Sequence, residues 1–315
     1  MSRRLGFPQV KQFDTPAALR DRLADLGLEA LGAALPLDDD VDADGVLARP
    51  LEVTDAAGPL IAPNRFAVLP MEGWDAERDG MPSDLVRRRW RRFGSSGAGL
   101  IWGGEAAAVR HDGRANPNQL MIAEHTVEAV ADLRADLMAA ADEVGVRPVV
   151  GLQLTHSGRW CRPDGEPAPR TARIDPVLDD RVGAGPHTVL SDDELDELVD
   201  AFVAAAGLAA HAGFDFVDVK ACHGYLLHEL LMSRNRPGRY GGDLVGRTRF
   251  LRDVIEGIRS AHPELAIGVR LSLFDPGPLQ PGAGGVAEPV PGALAGFGPL
   301  GADGRPDLTE RSEER

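Results

Sequence analysis

The sequence predicts an α/β protein with the alternating strands and helices of a (β/α)8 TIM barrel, of which about five β/α units are present. Strict alternation of this kind gives a parallel sheet with right-handed crossover connections. No G-x-G-x-x-G motif follows the first strand, which argues against an open dinucleotide-binding sheet. Polar residues follow the end of every predicted strand, which favours a barrel because barrel chemistry lies at that end.

Residues 1–60 are predicted to form an N-terminal leader with one helix. Thr15 and Pro16 are the N-cap and first-turn residues of that helix, and leucines at helical spacing continue it to Gly27. An acidic loop follows at residues 38–44. Little chemistry is visible in this segment.

Residues 61–273 contain the alternating units of the predicted partial barrel. The five predicted strands are 66–69, 99–102, 148–154, 214–219 and 266–271. The predicted helices are 83–93, 124–143, 191–211 and 246–261. Ser191 and Glu194 have the spacing of a capping box, and Gly145 is the stop of the second helix. The arginine-rich run 87–92 is expected to be a solvated helix face.

Residues 274–315 are predicted to be an irregular or disordered tail. The segment is rich in proline and glycine, shows no convincing strand or amphipathic helix, and ends in charged residues. A barrel of eight units would therefore lack about three, and an open sheet of five units leaves two free edges. We expect a truncated gene product, an incomplete sequence, or a chain that a partner completes.

Composition excludes several classes of function. A net charge of −15, from 34 basic and 49 acidic residues, argues against binding to nucleic acid or to an anionic membrane. No apolar run is long enough to span a bilayer, and no secretory signal is visible, so the cytoplasm is the expected location. The two cysteines, Cys161 and Cys222, form neither a disulfide framework nor a zinc site with usable spacing.

Four reactive side chains follow the fourth predicted strand within six positions: Lys220, Cys222, His223 and Tyr225. Each has an ordinary structural explanation on its own, such as a lysine at the barrel rim whose stem lies on apolar surface. Their grouping at one strand end instead indicates a functional site.

Six sequence blocks carry a resemblance to a known family. In chain order they are NRFAVLPME, GLIWGGEA, GLQLTHSGRW, DFVDVKACHGYLLHELL, NRPGRYGGDLVGRTRFLRDVI and GVRLS. Together they resemble the old yellow enzyme family, which are FMN-dependent oxidoreductases (ene-reductases) built on a (β/α)8 barrel. The resemblance covers residues 64–272, and the segments HGYLLHELL, RYGG and RTRFL are its most specific part.

The resemblance implies a set of FMN-binding residues at the strand ends: Pro70, Met71, Glu72, Gly104, Glu105, Gln153 and Arg270. By this resemblance Gln153 bonds the pyrimidine edge of the flavin, and Arg270 places positive charge beside N1 and O2. A fixed cation there stabilises the negative charge of the reduced ring. Glu72 departs from the family, since many relatives have a small hydroxyl or thiol at this position.

The resemblance also implies the catalytic residues and the reaction. Lys220 and His223 occupy the positions of the two donors that hold the substrate oxygen, and Tyr225 matches the tyrosine that protonates the substrate carbon. NADH or NADPH would reduce FMN, and a small activated alkene would then be reduced. The segments that bind the FMN phosphate in relatives have no counterpart in this sequence, so a truncated chain is expected to bind FMN weakly or not at all.

Three alternatives stay open at this stage. Lys220 could form a Schiff base with a carbonyl substrate. The chain could also be a non-catalytic barrel fragment that persists as a homo-oligomer or interaction module. Metal binding is the weakest hypothesis, because the spacing of its candidate ligands matches no known site. Those candidates are His156, Cys161, His223 and His228.

Overall fold

The structure is a computed structural model that describes residues 13–34, 45–272, 279–282 and 287–291. Four elements precede the main sheet: α1 (Pro16–Asp25), α2 (Glu29–Ala34), β1 (Leu51–Asp55) and β2 (Gly58–Ala62). Thr15 caps α1 as predicted, and its hydroxyl accepts a hydrogen bond from the backbone N–H of Ala18 at 3.2 Å. The structure corrects the prediction of a single leader helix, because Gly27 has a φ of 70° and interrupts the helix before α2.

Strands β1 and β2 form an antiparallel hairpin that the sequence analysis missed. Asp55 fixes it in two ways: one carboxylate oxygen accepts from Ala57 N in the turn, and the other accepts from Ile267 N at 3.0 Å. The second bond joins residues 212 positions apart, so local patterning could not indicate it. The hairpin and the amino-terminal ends of the sheet strands line an open apolar pocket of about 80 Å³.

The main sheet contains six parallel strands. They are β3 (Ala67–Val68), β4 (Leu100–Ile101), β5 (Ala106–Ala108), β6 (Val149–Thr155), β7 (Phe216–Ala221) and β8 (Ala266–Leu271). Their order is β3-β4-β6-β7-β8, with β5 pairing a later part of β6. The predicted alternation of five parallel units is confirmed. Strands β3 and β4 are shorter than predicted because Pro70 lacks a backbone N–H, and Gly103 turns the chain with a φ of 80°.

Six helices accompany these strands: α3 (Asp84–Gly94), α4 (Val127–Glu143), α5 (Pro176–Val182), α6 (Asp192–His211), α7 (Leu226–Leu231) and α8 (Leu244–Ala261). The predicted capping box of Ser191 and Glu194 is present at the start of α6. Helices α3, α4, α6 and α8 bury their apolar stripes in one continuous core with the strands. Within the described residues, no helix has the length and apolar character needed to cross a membrane.

Arg89 contradicts the expectation that the arginine run 87–92 is a solvated face. Its side chain is only 17% exposed and forms ion pairs with Asp75 and Glu105, each with an N–O distance of 2.6 Å. The neighbouring Trp90 is completely buried. The charge pattern of α3 alone could not show this, because both carboxylates come from other segments of the chain.

Side chains inside the sheet lie in layers that follow the two-residue period of the strands. In the layer at the first residue of β7, the rings of Trp102 and Phe216 have centroids 5.2 Å apart. A Cβ atom on Gly151 would lie 2.3 Å from the Phe216 ring, and one on Gly268 would lie 2.8 Å from Trp102. These two glycines therefore provide the space that the aromatic rings occupy.

The C-terminal segment contains two short strands that the sequence analysis did not predict. Strands β9 (Leu279–Pro281) and β10 (Ala287–Pro289) pair in an antiparallel manner. Such a hairpin needs only a few backbone hydrogen bonds, so the prolines at the strand ends do not prevent it. The other residues of the predicted tail lie outside the described residues.

We predict that Gly151→Ala destabilises the protein, because the added methyl group must displace the Phe216 ring. The free energy of unfolding should fall by about 1–3 kcal/mol, the usual cost of overpacking a core. Denaturant unfolding followed by circular dichroism measures it. Gly185→Ala is the matched control, since Gly185 has extended backbone and only a side chain at 3.4 Å. Equal losses in both variants would contradict this packing explanation.

Candidate active site

Three side chains form one contact unit at the carboxyl end of the sheet, which we call the Glu72 unit (Glu72, Lys220 and Tyr225). The Lys220 ammonium donates to Glu72 Oε1 in an ion pair, and the Tyr225 hydroxyl donates to Glu72 Oε2 at 2.7 Å. Lys220 Nζ also lies 3.9 Å from the centroid of the Tyr225 ring. The three residues come from the segment after β3, the end of β7 and the N-cap of α7.

The Glu72 unit is largely removed from solvent. The side chain of Glu72 is 10% exposed, and that of Lys220 is 5% exposed. Loss of either partner from such a pair leaves a poorly solvated charge, which is strongly destabilising. Burial raises the pKa of Tyr225 well above its usual value, and the charge of Glu72 and its hydrogen bond raise it further. Tyr225 is therefore a protonated phenol at neutral pH.

A third donor completes the hydrogen bonding of Glu72. The indole N–H of Trp74 donates to Glu72 Oε2 at 3.1 Å. Trp74 has a φ of 50°, an uncommon conformation for a large residue, and its side chain is exposed at the rim. The two oxygens of Glu72 thus accept from three side chains and are fixed in orientation.

Glu105 and Arg89 hold the segment that carries Glu72. One oxygen of Glu105 accepts from Gly73 N at 2.9 Å, and the other accepts from Arg89 at 2.6 Å. A Cβ atom on Gly73 would meet the Arg89 guanidinium at 2.3 Å, so a larger residue here would displace that guanidinium. Burial raises the pKa of Glu105, and Arg89 opposes that shift. The Glu105 carboxylate is occupied in this way, so only its backbone is available for the predicted flavin contact.

His223 lies at the rim, directly after the buried end of β7. Its φ is 61°, and its backbone N–H donates to Ser272 Oγ at 3.4 Å. Desolvation lowers the pKa of His223, and the positive charges of Lys220 and Arg270 lower it further. The imidazole is therefore neutral at pH 7 and has one N–H to donate.

Gln153 and Arg270 lie on the strands either side of β7. Gln153 pairs in register with Asp218, and Arg270 pairs with Lys220. The Gln153 amide donates to Asp218 Oδ2. Within the part of the chain that the structure describes, the Arg270 guanidinium has no hydrogen-bond or ion-pair partner. Its charge does act on its surroundings, since it helps to lower the pKa of Asp218 against the raising effect of burial.

Asp218 is a residue of this site that the sequence analysis missed. It lies two positions before Lys220 and therefore on the same face of β7. The two-residue period of a buried strand was the signal that could have identified it. Cys222, by contrast, is a buried free thiol whose pKa burial raises to about 11, so it is a poor nucleophile at neutral pH.

The remaining predicted cofactor residues lie close to the same strand ends. Met71 pairs with Glu105 in an isolated bridge, and the residue is 43% exposed. A Cβ atom on Gly103 would approach both Gln153 and Pro70, which places Pro70 beside Gln153. The backbone of Gly104 packs against Trp90. The flavin contacts of these residues stay predictions.

The hypothesis of a metal site has no support in the geometry. Within the described ranges, no group of three or more histidine, cysteine, aspartate or glutamate residues could hold a metal ion. His156 and His228 instead use their Nδ1 atoms to accept from backbone N–H groups, at 3.2 Å from Gly158 and 2.8 Å from Gly224.

Comparison with known proteins identifies the family. Residues 50–286 match the sequence signature described as the NADH:flavin oxidoreductase / NADH oxidase family. The chain belongs to this family. The members it resembles include the NADPH dehydrogenase of Bacillus subtilis (31% identity over 67% of this chain and 60% of the relative). The NADPH dehydrogenase of Clostridium acetobutylicum is 32% identical with the same coverage.

Solved structures from the family share the fold. The old yellow enzyme homologue of Zymomonas mobilis superposes with a TM-score of 0.57 and 26% identity, over 72% of this chain and 63% of that chain. Morphinone reductase superposes with a TM-score of 0.56 and 27% identity, over 71% and 61%. The predicted TIM-barrel fold is confirmed. The chain spans about 60% of the length of the curated family members it matches.

We predict that Glu72→Gln lowers the pKa of Tyr225, because it removes the negative charge that opposes formation of the phenolate. The chain has only two tyrosines, so a Tyr240→Phe background leaves Tyr225 as the single phenol. Ionisation of this phenol is followed by its ultraviolet absorbance as the pH is raised past about 10, where an unperturbed tyrosine ionises.

Asp136→Asn is the matched control for this titration, since it removes one negative charge from a pair with Arg87 outside the site. Circular dichroism over the same pH range shows that the chain stays folded. Identical titration curves for the Glu72→Gln and Asp136→Asn chains would contradict the contact between Glu72 and Tyr225.

Proposed function

We propose that this chain binds FMN and reduces activated alkenes or related electrophiles with NADH or NADPH as the reductant. The observation that carries the proposal is the arrangement on neighbouring strands of one sheet end. Gln153 lies on β6, Lys220 on β7 with Tyr225 just after it, and Arg270 on β8. These side chains supply hydrogen-bond donors at one sheet end. The amide and the guanidinium can serve a ring edge, and the ammonium and the phenol can serve a substrate.

The residues present fit the ring edge of a flavin. Arg270 is a cation with no partner within the described part of the chain, next to a buried amide. A fixed positive charge and hydrogen-bond donors stabilise the negative charge that a reduced flavin carries. Gln153 would bond the pyrimidine edge, and Arg270 would lie near N1 and O2. The family assignment and the printed names of the relatives, NADPH dehydrogenases, support the same cofactor and reductant.

The chain's own residues would then hold and protonate the acceptor. A reduced flavin supplies a hydride to an electron-poor carbon. Lys220 and His223 would donate hydrogen bonds to the oxygen of the activating group, and Tyr225 would give a proton to the other carbon of the double bond. In the structure the Tyr225 hydroxyl points to Glu72, so the phenol must turn from Glu72 to deliver that proton. Lysine offers a point charge on a flexible stem, which widens the geometry of acceptor binding.

The ion pair of Lys220 argues against Schiff-base chemistry. A Schiff base forms from a neutral amine. Glu72 stabilises the charged ammonium instead, and the Tyr225 ring below it does the same. The lysine-dependent lyase that the sequence left open is therefore disfavoured.

Location and assembly belong to the same proposal. Cys161 and Cys222 are both free and buried, which fits a reducing compartment such as the cytoplasm. Strands β3 and β8 are the two edges of the sheet in the described part of the chain. A homo-oligomer or a completing partner chain would cover them.

We predict that the purified chain binds FMN and that Arg270→Met weakens this binding by about tenfold or more, the effect of losing one charge-assisted contact. Quenching of FMN fluorescence measures the affinity. Arg91→Met is the control, because Arg91 is 58% exposed on α3. The bound flavin should bleach on addition of NADH or NADPH. A chain that stays colourless at saturating FMN would contradict the proposed function and leave the family assignment intact.

A further inference from the structure

The position of Glu72 has a consequence for the choice of substrate. In the proposed function Lys220 would donate to the substrate oxygen. Its ammonium already forms an ion pair with the carboxylate of Glu72. Since both side chains are at most 10% exposed, solvent screens this pair weakly. A substrate that reaches Lys220 therefore meets a positive and a negative charge together.

We propose that Glu72 is a specificity-determining residue, which cancels the charge of Lys220 and so makes the site accept neutral electron-poor alkenes and reject carboxylates. The inference rests on the proposed function for the class of ligand. It deepens that function, because a lone lysine at this position would instead favour an anionic acceptor.

The other charged groups near the Glu72 unit do not change this balance. His223 is neutral at pH 7. Glu105 and Asp75 share Arg89 as their ion-pair partner, and burial raises the pKa of Glu105. Asp218 bonds to Gln153, and burial raises its pKa. Arg270 is the remaining cation; a reduced flavin would match its charge, and it is the same in every variant compared below.

Glu72 also holds the geometry that makes the rejection effective. Its second oxygen accepts from Tyr225 and from Trp74, and these bonds hold the carboxylate in the site before a substrate binds. An incoming carboxylate would lie beside Glu72. Its repulsion by Glu72 would offset most of the binding free energy that its attraction to Lys220 provides. A neutral carbonyl oxygen meets no such repulsion and still receives the N–H donor.

Benzoate and benzamide are the probes, because they have nearly the same shape and the amide is neutral, with an NH2 donor in place of one carboxylate oxygen. Their binding to the chain is measured by calorimetry at pH 8, with and without saturating FMN. We expect the unsubstituted chain to bind benzamide more tightly than benzoate. Glu72→Gln should shift the ratio of the two affinities towards benzoate by roughly tenfold or more, since it exposes the charge of Lys220.

Four further variants separate the effect of charge from an effect on structure. Lys220→Met should shift the ratio in the opposite direction, against benzoate, because Glu72 is then uncompensated. The double variant Glu72→Gln/Lys220→Met should return the ratio to that of the unsubstituted chain, as should Glu72→Asp, which keeps the charge. Asp136→Asn changes the net charge equally and should leave the ratio unchanged. If Glu72 had a purely structural role, its substitution would lower the affinity for both probes equally and leave their ratio unchanged.

The inference fails if the affinity ratio is the same in the unsubstituted and Glu72→Gln chains, or if neither chain binds either probe. It also fails if Lys220→Met shifts the ratio towards benzoate. These outcomes differ from a failure of the proposed function, which shows as the absence of bound, reducible FMN. A chain that binds FMN as tightly after Glu72→Gln as before, with an unchanged ratio, overturns the inference alone.

Discussion

The carboxylate of Glu72 is the contact on which the arrangement of this site depends. It accepts from Lys220 and Tyr225, which lie 148 and 153 residues further along the chain. Strands β3 and β7 are not neighbours in the sheet, so the bond spans the mouth of the sheet rather than one strand pair. A buried ion pair is stable only while both partners are present. The segment after β3 and the end of β7 are therefore held in one fixed relation.

A second set of contacts holds the backbone next to Glu72 in place. Arg89 on α3 binds Glu105, and Glu105 binds the backbone beside Glu72. Below them, two glycines give Trp102 and Phe216 room to fill the base of the sheet. Packing thus determines where the strands lie, and the ionic contacts of the loops determine how the side chains of the site are oriented. This division is typical of barrels, in which the two ends of the strands serve stability and chemistry separately.

Features with a local cause could be predicted from the sequence. The alternation of strands and helices, the capping box of Ser191 and Glu194, and the limits of β8 all follow from residues close together in the chain. The candidate residues at the end of β7 were also found in this way, and three of the predicted site residues do meet in the Glu72 unit.

Features that depend on distant partners could not be predicted. Arg89 has the sequence context of a solvated arginine, and only the carboxylates of Asp75 and Glu105 explain its burial. Glu72 was recognised as a departure from the family pattern, but its partners could not be identified from spacing. The attachment of the β1–β2 hairpin to the sheet could not be predicted for the same reason, since it is the bond from Ile267 to Asp55. Sequence periodicity reports which face of an element is buried, and not which charges meet there.

The most direct test of the account is a double-mutant cycle on Glu72 and Lys220, with the free energy of unfolding as the measured quantity. The single variants are Glu72→Gln and Lys220→Met, and the double variant combines them. The account predicts that each single change is destabilising and that the double change costs less than their sum by roughly 1 kcal/mol or more. Strictly additive losses would contradict it, because they would mean that the two side chains do not depend on each other.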